Sequence, residues 1–122
     1  DLNFYQMKDG RYADKPDLKR EITATFNLSS GDVFIPSVII ADVDGDGIDD
    51  LLVQEGENKL KIYLGGKDDQ IFARKSIDYE VAMPTDPDLI DMVDLNSDGK
   101  QDIVMRHQTI GEDRKVVIMV SE

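Results

Sequence analysis

The chain contains no cysteine, which excludes a disulfide framework and thiol chemistry. It contains one histidine, His107, within Met105-Arg106-His107-Gln108. With no cysteine and no plausible serine partner, His107 could be a general base only in a carboxylate context, and it reads as a strand-end surface residue. No apolar run approaches the roughly 20 residues of a membrane-spanning helix, so membrane insertion is not expected. No window of helical length keeps a clean 3.6-residue period. Positive charge is scarce: 14 Lys and Arg stand against 26 Asp and Glu, a net charge of −12. Phosphate repels such a surface, so nucleic acid is not an expected partner, while cations are favoured. A glycine-rich phosphate loop is lacking too, because Gly65-Gly66 reads as a hairpin turn with no helix after it. The chain opens at once on strand-like Asp1-Leu2-Asn3-Phe4-Tyr5 with no leader-like segment, and the expectation is a processed or cut N-terminus.

What is present is a two-residue period. The 122 residues, 40% of them apolar, suffice for one modest domain with a core. Ile22, Ala24, Phe26 and Leu28 alternate with polar residues, as do Leu60, Ile62 and Leu64. Val38-Ile39-Ile40 and Val116-Val117-Ile118-Met119-Val120 are unbroken apolar runs, the pattern of strands buried on both faces. The spacing predicts nine strands, at 2–7, 20–28, 34–41, 51–54, 60–64, 71–80, 88–93, 103–107 and 115–120, and hence an all-β fold. Lys8-Asp9-Gly10, Ser29-Ser30-Gly31-Asp32, Glu55-Gly56-Glu57-Asn58 and Gly65-Gly66-Lys67-Asp68 supply turn chemistry between them.

Two nine-residue stretches stand out from this background. Asp42-Val43-Asp44-Gly45-Asp46-Gly47-Ile48-Asp49-Asp50 and Asp94-Leu95-Asn96-Ser97-Asp98-Gly99-Lys100-Gln101-Asp102 both fit D-x-[DN]-x-[DN]-G-x-x-D. Each is flanked by apolar strand patterns. Oxygen-bearing side chains at alternate positions suit a hard cation such as calcium, which takes 6–8 oxygens at about 2.3–2.6 Å. The expected ligands are Asp42, Asp44, Asp46, the Ile48 carbonyl and Asp50 in loop one. In loop two they are Asp94, Asn96, Asp98, the Lys100 carbonyl and Asp102. Glycine at position 6 permits the reversal. Loop one offers four carboxylates and loop two three plus an amide, so loop one should bind more tightly. Two ions would bring the charge from −12 to −8. An EF-hand would require a glutamate at position 12 and flanking helices; Val53 and Met105 hold that position, inside strand patterns, so an EF-hand is rejected and a dockerin-like pair disfavoured.

The loops are also phase markers. Their first aspartates, at 42 and 94, stand 52 residues apart, and a third-strand pattern recurs at Leu2–Gln6, Leu60–Leu64 and Lys115–Met119. Asp9-Gly10-Arg11-Tyr12 parallels Asp68-Asp69-Gln70-Ile71-Phe72 in the turn that follows. A unit of four strands and about 50 residues is the size of a propeller blade.

Phe34–Val53 and Asp88–Met105, with the strands that trail them, resemble the FG-GAP/VCBS repeat, although the Phe-Gly and Gly-Ala-Pro elements are absent and Asn96 replaces an aspartate. The resemblance implies a calcium-binding β-propeller of the kind found in integrin α-chains and exported bacterial proteins. Its metal lies between the first two strands of a blade. It implies antiparallel four-stranded blades, divided here as the end of one blade (1–30), a complete blade (31–81) and most of the next (82–122). It also implies two calcium ions, an extracellular, cell-surface or periplasmic location, and a non-catalytic role in binding protein or glycan. The rest of the ring would come from further blades of the same protein or from copies of the chain. The alternative is a channel-lining part of a secreted polysaccharide-degrading propeller enzyme. Other candidates read as structural: Asp86, Asp88 and Asp91 as turn and solubilising residues, and Tyr5, Tyr12, Tyr63 and Phe72 as packing residues rather than a sugar-stacking platform. Asn27-Leu28-Ser29 is taken as a chance glycosylation match.

Overall fold

A computed structural model describes residues 1–22, 24–26, 28–66, 70–84, 86–107 and 115–121. Its strands are β1 (Leu2–Phe4), β2 (Met7–Lys8), β3 (Arg11–Tyr12), β4 (Leu18–Arg20), β5 (Thr25–Phe26), β6 (Val33–Phe34), β7 (Val38–Ala41), β8 (Asp50–Glu55), β9 (Lys59–Tyr63), β10 (Ile77–Glu80), β11 (Ile90–Val93), β12 (Asp102–His107) and β13 (Lys115–Met119). One 3₁₀ turn, Pro87–Leu89, precedes β11. The fold is all-β and every pairing is antiparallel.

The central unit is a four-stranded sheet in the order β10-β9-β8-β7, an up-and-down meander of blade form. A three-stranded sheet, β11-β12-β13, repeats its first three strands, and β1 pairs with β4 on the other side. Register explains how the central sheet is covered on both faces. Ile39, Leu52, Ile62 and Ile77 lie side by side across it. Leu52 and Ile62 enter a core with Leu60, Met83, Ile90, Ile103 and Met105, which joins this face to the three-stranded sheet. Leu51 and Val53, on the opposite face, join Phe72 in a second core that takes in Leu2, Phe4 and Leu18 from the β1–β4 pair. The stacking is therefore sheet on sheet on sheet, and β8, buried along nearly its whole length, is its centre.

Leu52 is 1% exposed and belongs to the larger core. Replacing it with alanine removes three carbons' worth of burial and leaves a cavity, at a cost of about 3 kcal/mol. Leu52→Ala should therefore lower the urea midpoint substantially; an unchanged midpoint would show that the core does not run through this position.

The turn chemistry holds where it can be seen. Asp9 and Gly10, with φ of 51° and 77°, make the two-residue connection between β2 and β3, as a type I′ hairpin demands. Gly31 and Gly56 also carry positive φ. Gly65 differs: a Cβ there would meet the Asp49 carbonyl at 2.3 Å, so glycine is needed for close approach to loop one rather than for its dihedral. Lys67, Asp68 and Asp69 of this turn, and Asn27 of the glycosylation-like triplet, lie outside the described residues.

Several sequence expectations are corrected. The strand expected at 2–7 breaks into β1 and β2, because the Gln6 N–H turns to the Asp17 carboxylate. The strand expected at 20–28 is split between β4 and β5, and that at 34–41 between β6 and β7, where Pro36 has no N–H to give a ladder. In 71–80, Phe72 makes only an isolated bridge to Gly65 and the strand starts at Ile77. In 88–93 the first two residues belong to the 3₁₀ turn that Asp86 caps by accepting from the Asp88 N–H at 2.9 Å.

The two unbroken apolar runs are not buried on both faces. Val38 and Ile40 are 38% and 50% exposed, although they share a face with the buried Val53 and Leu51. In β13, Val117 and Met119 pack against the larger core while Val116 and Ile118 stay more than half exposed. Nothing among the described residues lies over that face.

Candidate metal centre

Loop one connects β7 to β8, and loop two connects β11 to β12. They occupy the same joint of successive sheets. Both fold by the same dihedral pattern. Position 4 is left-handed in each, Gly45 at φ 78° and Ser97 at φ 60°, and so is position 6, Gly47 at 83° and Gly99 at 85°. A side chain at position 6 would strain that geometry, which explains the glycine in both copies.

Position 9 anchors each loop. Asp50 and Asp102 begin β8 and β12 and are fully buried. Asp50 accepts the Val43 N–H at 2.8 Å and the Gly65 N–H at 2.7 Å. Asp102 accepts the Leu95 N–H at 2.8 Å and the Ser121 N–H at 2.8 Å. Each carboxylate thus ties its own loop's second residue to the end of the third strand of its sheet. The sequence reads Gly65 only as a turn residue and assigns Ser121 nothing, although the two stand 56 residues apart, close to the repeat length.

Above this anchor the loop side chains fold back on the backbone. Asp42 accepts N–H groups from Gly45 at 2.7 Å and Gly47 at 2.9 Å. Asp44 accepts from Asp46, and Asp46 from Ile48. In loop two Asp94 accepts from Asp98 and Gly99, and Asp98 from Lys100. The position-7 residues Ile48 and Lys100 are each held by the carboxylate at position 5. The Asn96 amide donates to Asp98 at 3.0 Å.

Electrostatics separates these carboxyls. Burial pushes Asp42 up, but the N–H groups of Gly47 and Gly45 outweigh it and hold the carboxyl below the usual range. Asp98 is also held low, chiefly by the Lys100 N–H against a partly opposing burial. Asp44 is raised: burial leads, the Asp46 N–H opposes it, and the charges of Asp50 and Asp46 add repulsion. A bound cation would relieve that repulsion.

Asp42, Asp44 and Asp50 bring carboxylate oxygens within 4.8 Å of one another, a cluster able to hold a metal ion. The donors are all hard oxygens, with no nitrogen or sulfur, which suits calcium rather than a transition metal. Asp46 stays outside this trio. Among the described residues loop two shows no equivalent gathering of three carboxylates, in keeping with an amide at its third position. Asp94, Asn96, Asp98 and Asp102 are placed on a matching backbone.

The two loops also touch. The Gln101 N–H donates to the Asp42 backbone carbonyl at 2.9 Å, and Lys100 lies so close over Gly45 that a Cβ there would meet its Cγ at 2.8 Å. Nothing in the spacing of either motif signals this contact, because it depends on how adjacent sheets stack.

Other candidates sort as follows. Phe72 packs edge-to-face on Phe4, with ring centroids 5.1 Å apart, and Tyr63 lies under the Arg20 guanidinium, so both are packing residues. Tyr5 and Tyr12 are 45% and 63% exposed, which corrects the expectation that they pack as well. Asp91 pairs with Arg106 at 3.4 Å on the surface. His107 ends β12, half-buried, opposite Lys115. Among the described residues no helix is long and apolar enough to cross a membrane.

A family model described as an FG-GAP-like repeat matches residues 42–105. No curated protein and no solved structure matches the chain. The matched span runs from the first aspartate of loop one through both loops and into β12, covering more than half of the chain. With two equivalent loops at the same joint of stacked antiparallel sheets, the chain belongs to the FG-GAP-like repeat family.

Proposed function

We propose that the chain is a non-catalytic calcium-binding segment of a β-propeller, in which one ion in each loop braces the connection between a blade's first two strands. The observation that carries this reading is the convergence of Asp42, Asp44 and Asp50 within a loop whose sequence and backbone recur at Asp94–Asp102. Calcium in such loops binds only the folded chain and so stabilises it. Residues 1–30, 31–81 and 82–122 then correspond to the end of one blade, a whole blade and most of the next. The open apolar face of β13 supports further packing by blades of the same protein or by copies of the chain. Exposed Tyr5 and Tyr12 support a protein or glycan ligand, and the family match supports a location outside the cytoplasm.

Isothermal titration with calcium is the test. Two ions per chain are expected, and Asp44→Ala should leave one. Absence of binding at millimolar calcium would overturn the proposal. One ion in the unmutated chain would restrict it to loop one, where the carboxylates converge.

A further inference from the structure

The contact between the loops has a directional chemistry. A peptide unit is planar and trans, so its carbonyl and its N–H point to opposite sides. The peptide joining Lys100 to Gln101 carries the Lys100 carbonyl, the position-7 donor expected for loop two. Its N–H donates to the Asp42 carbonyl at 2.9 Å. The Asp42 carbonyl belongs in turn to the peptide whose N–H, that of Val43, donates to Asp50 at 2.8 Å. Two peptides in series therefore link a carbonyl of loop two to a buried carboxylate of the loop-one trio. The Lys100 side chain, lying close over Gly45, gives the loops a second point of contact.

Resting on the calcium reading above, we propose that Gln101 is a positioning residue, and that its peptide couples the two sites so that filling either one tightens the other. An ion drawing on the Lys100 carbonyl polarises the peptide and makes the Gln101 N–H a stronger donor. The Asp42 carbonyl, better held, fixes the peptide whose Val43 N–H orients Asp50, so that the loop-one carboxylate is set in place before its ion arrives. An ion in loop one fixes Asp42 and Asp50 and so pre-sets the peptide that loop two needs. Through-space repulsion between two calcium ions has the opposite sign, which makes the direction of coupling decisive.

The experiment is calcium titration of the full chain and of Asp44→Ala and Asp98→Ala, both at exposed positions, so that each variant keeps one intact loop. At about 0.5 M KCl the screening length is roughly 4 Å, which suppresses the through-space effect of the deleted charges. The two-ion constant of the unmutated chain should exceed the product of the two single-loop constants about fivefold or more. Gln101→Pro removes the N–H while keeping the Lys100 carbonyl, and should bring that factor close to one with two ions still bound. If Gln101→Pro fails to melt cooperatively, the comparison of the two single-loop variants decides alone. A factor within twofold of one, or below one, in the unmutated chain overturns the coupling while leaving two calcium sites standing. An unmutated chain that takes up no calcium overturns the calcium reading itself.

Discussion

The melting temperature of the chain is expected to rise by roughly 20 °C between excess chelator and calcium at about a hundredfold its dissociation constant for both sites, and Asp44→Ala should abolish about half of that rise. Ligand that binds only the folded state at this excess contributes about 2.7 kcal/mol per site, and each kcal/mol moves the midpoint of a chain this size by about 4 °C. Asp44 is the informative position because it is exposed and its carboxylate accepts a local hydrogen bond, from the Asp46 N–H. Its carboxyl is raised by burial and by the neighbouring charges of Asp50 and Asp46. Without an ion, that repulsion opposes folding slightly, and alanine removes it. The sign therefore depends on conditions: a marked loss in calcium, and no change or a small gain in chelator. Differential scanning calorimetry in both buffers is the measurement. An equal loss in both would mean that Asp44 supports the fold and not an ion.

Much of this architecture was legible in the chain because its cause is local. The alternation of Leu60, Ile62 and Leu64, the Asp9-Gly10 turn and the position-6 glycines each specify backbone geometry within a few residues. The EF-hand could be set aside from Val53 and Met105, which lie in the two cores rather than on helices. What was not legible depends on stacking. The exposed faces of β7 and β13 look identical in sequence to buried ones, because an apolar run records what a strand can bury and not what lies over it. The strand breaks near Pro36 and Gln6 follow from single hydrogen bonds lost or diverted. The candidate site was legible as a set of donors but not as a geometry. Loop one converges three carboxylates, loop two does not, and Asp46 stands aside. The Gln101–Asp42 bond between loops joins residues 59 apart in the chain and leaves no trace in either motif.

Asp50→Ala should behave differently from Asp44→Ala, destabilising the chain by about 2–4 kcal/mol in chelator as well as in calcium. The carboxylate is fully buried, and it is the acceptor for two N–H groups, those of Val43 and Gly65. Alanine leaves both donors without that partner, and each unsatisfied buried group costs about 1–3 kcal/mol. Part of the loss is recovered because a buried charge disappears at the same time. Asp50→Asn keeps a carbonyl oxygen for one donor but turns an amide toward the other, so it should fall between the native protein and alanine. Asp102→Ala should repeat the result, since Asp102 holds Leu95 and Ser121 in the same way. Urea midpoints in chelator separate the two roles at position 9. A substantial loss there assigns Asp50 and Asp102 to tying the loop to the third strand, with any ion added on top. Midpoints in chelator that match the native protein would mean that these aspartates serve the metal alone, and that the paired hydrogen bonds contribute nothing to the fold.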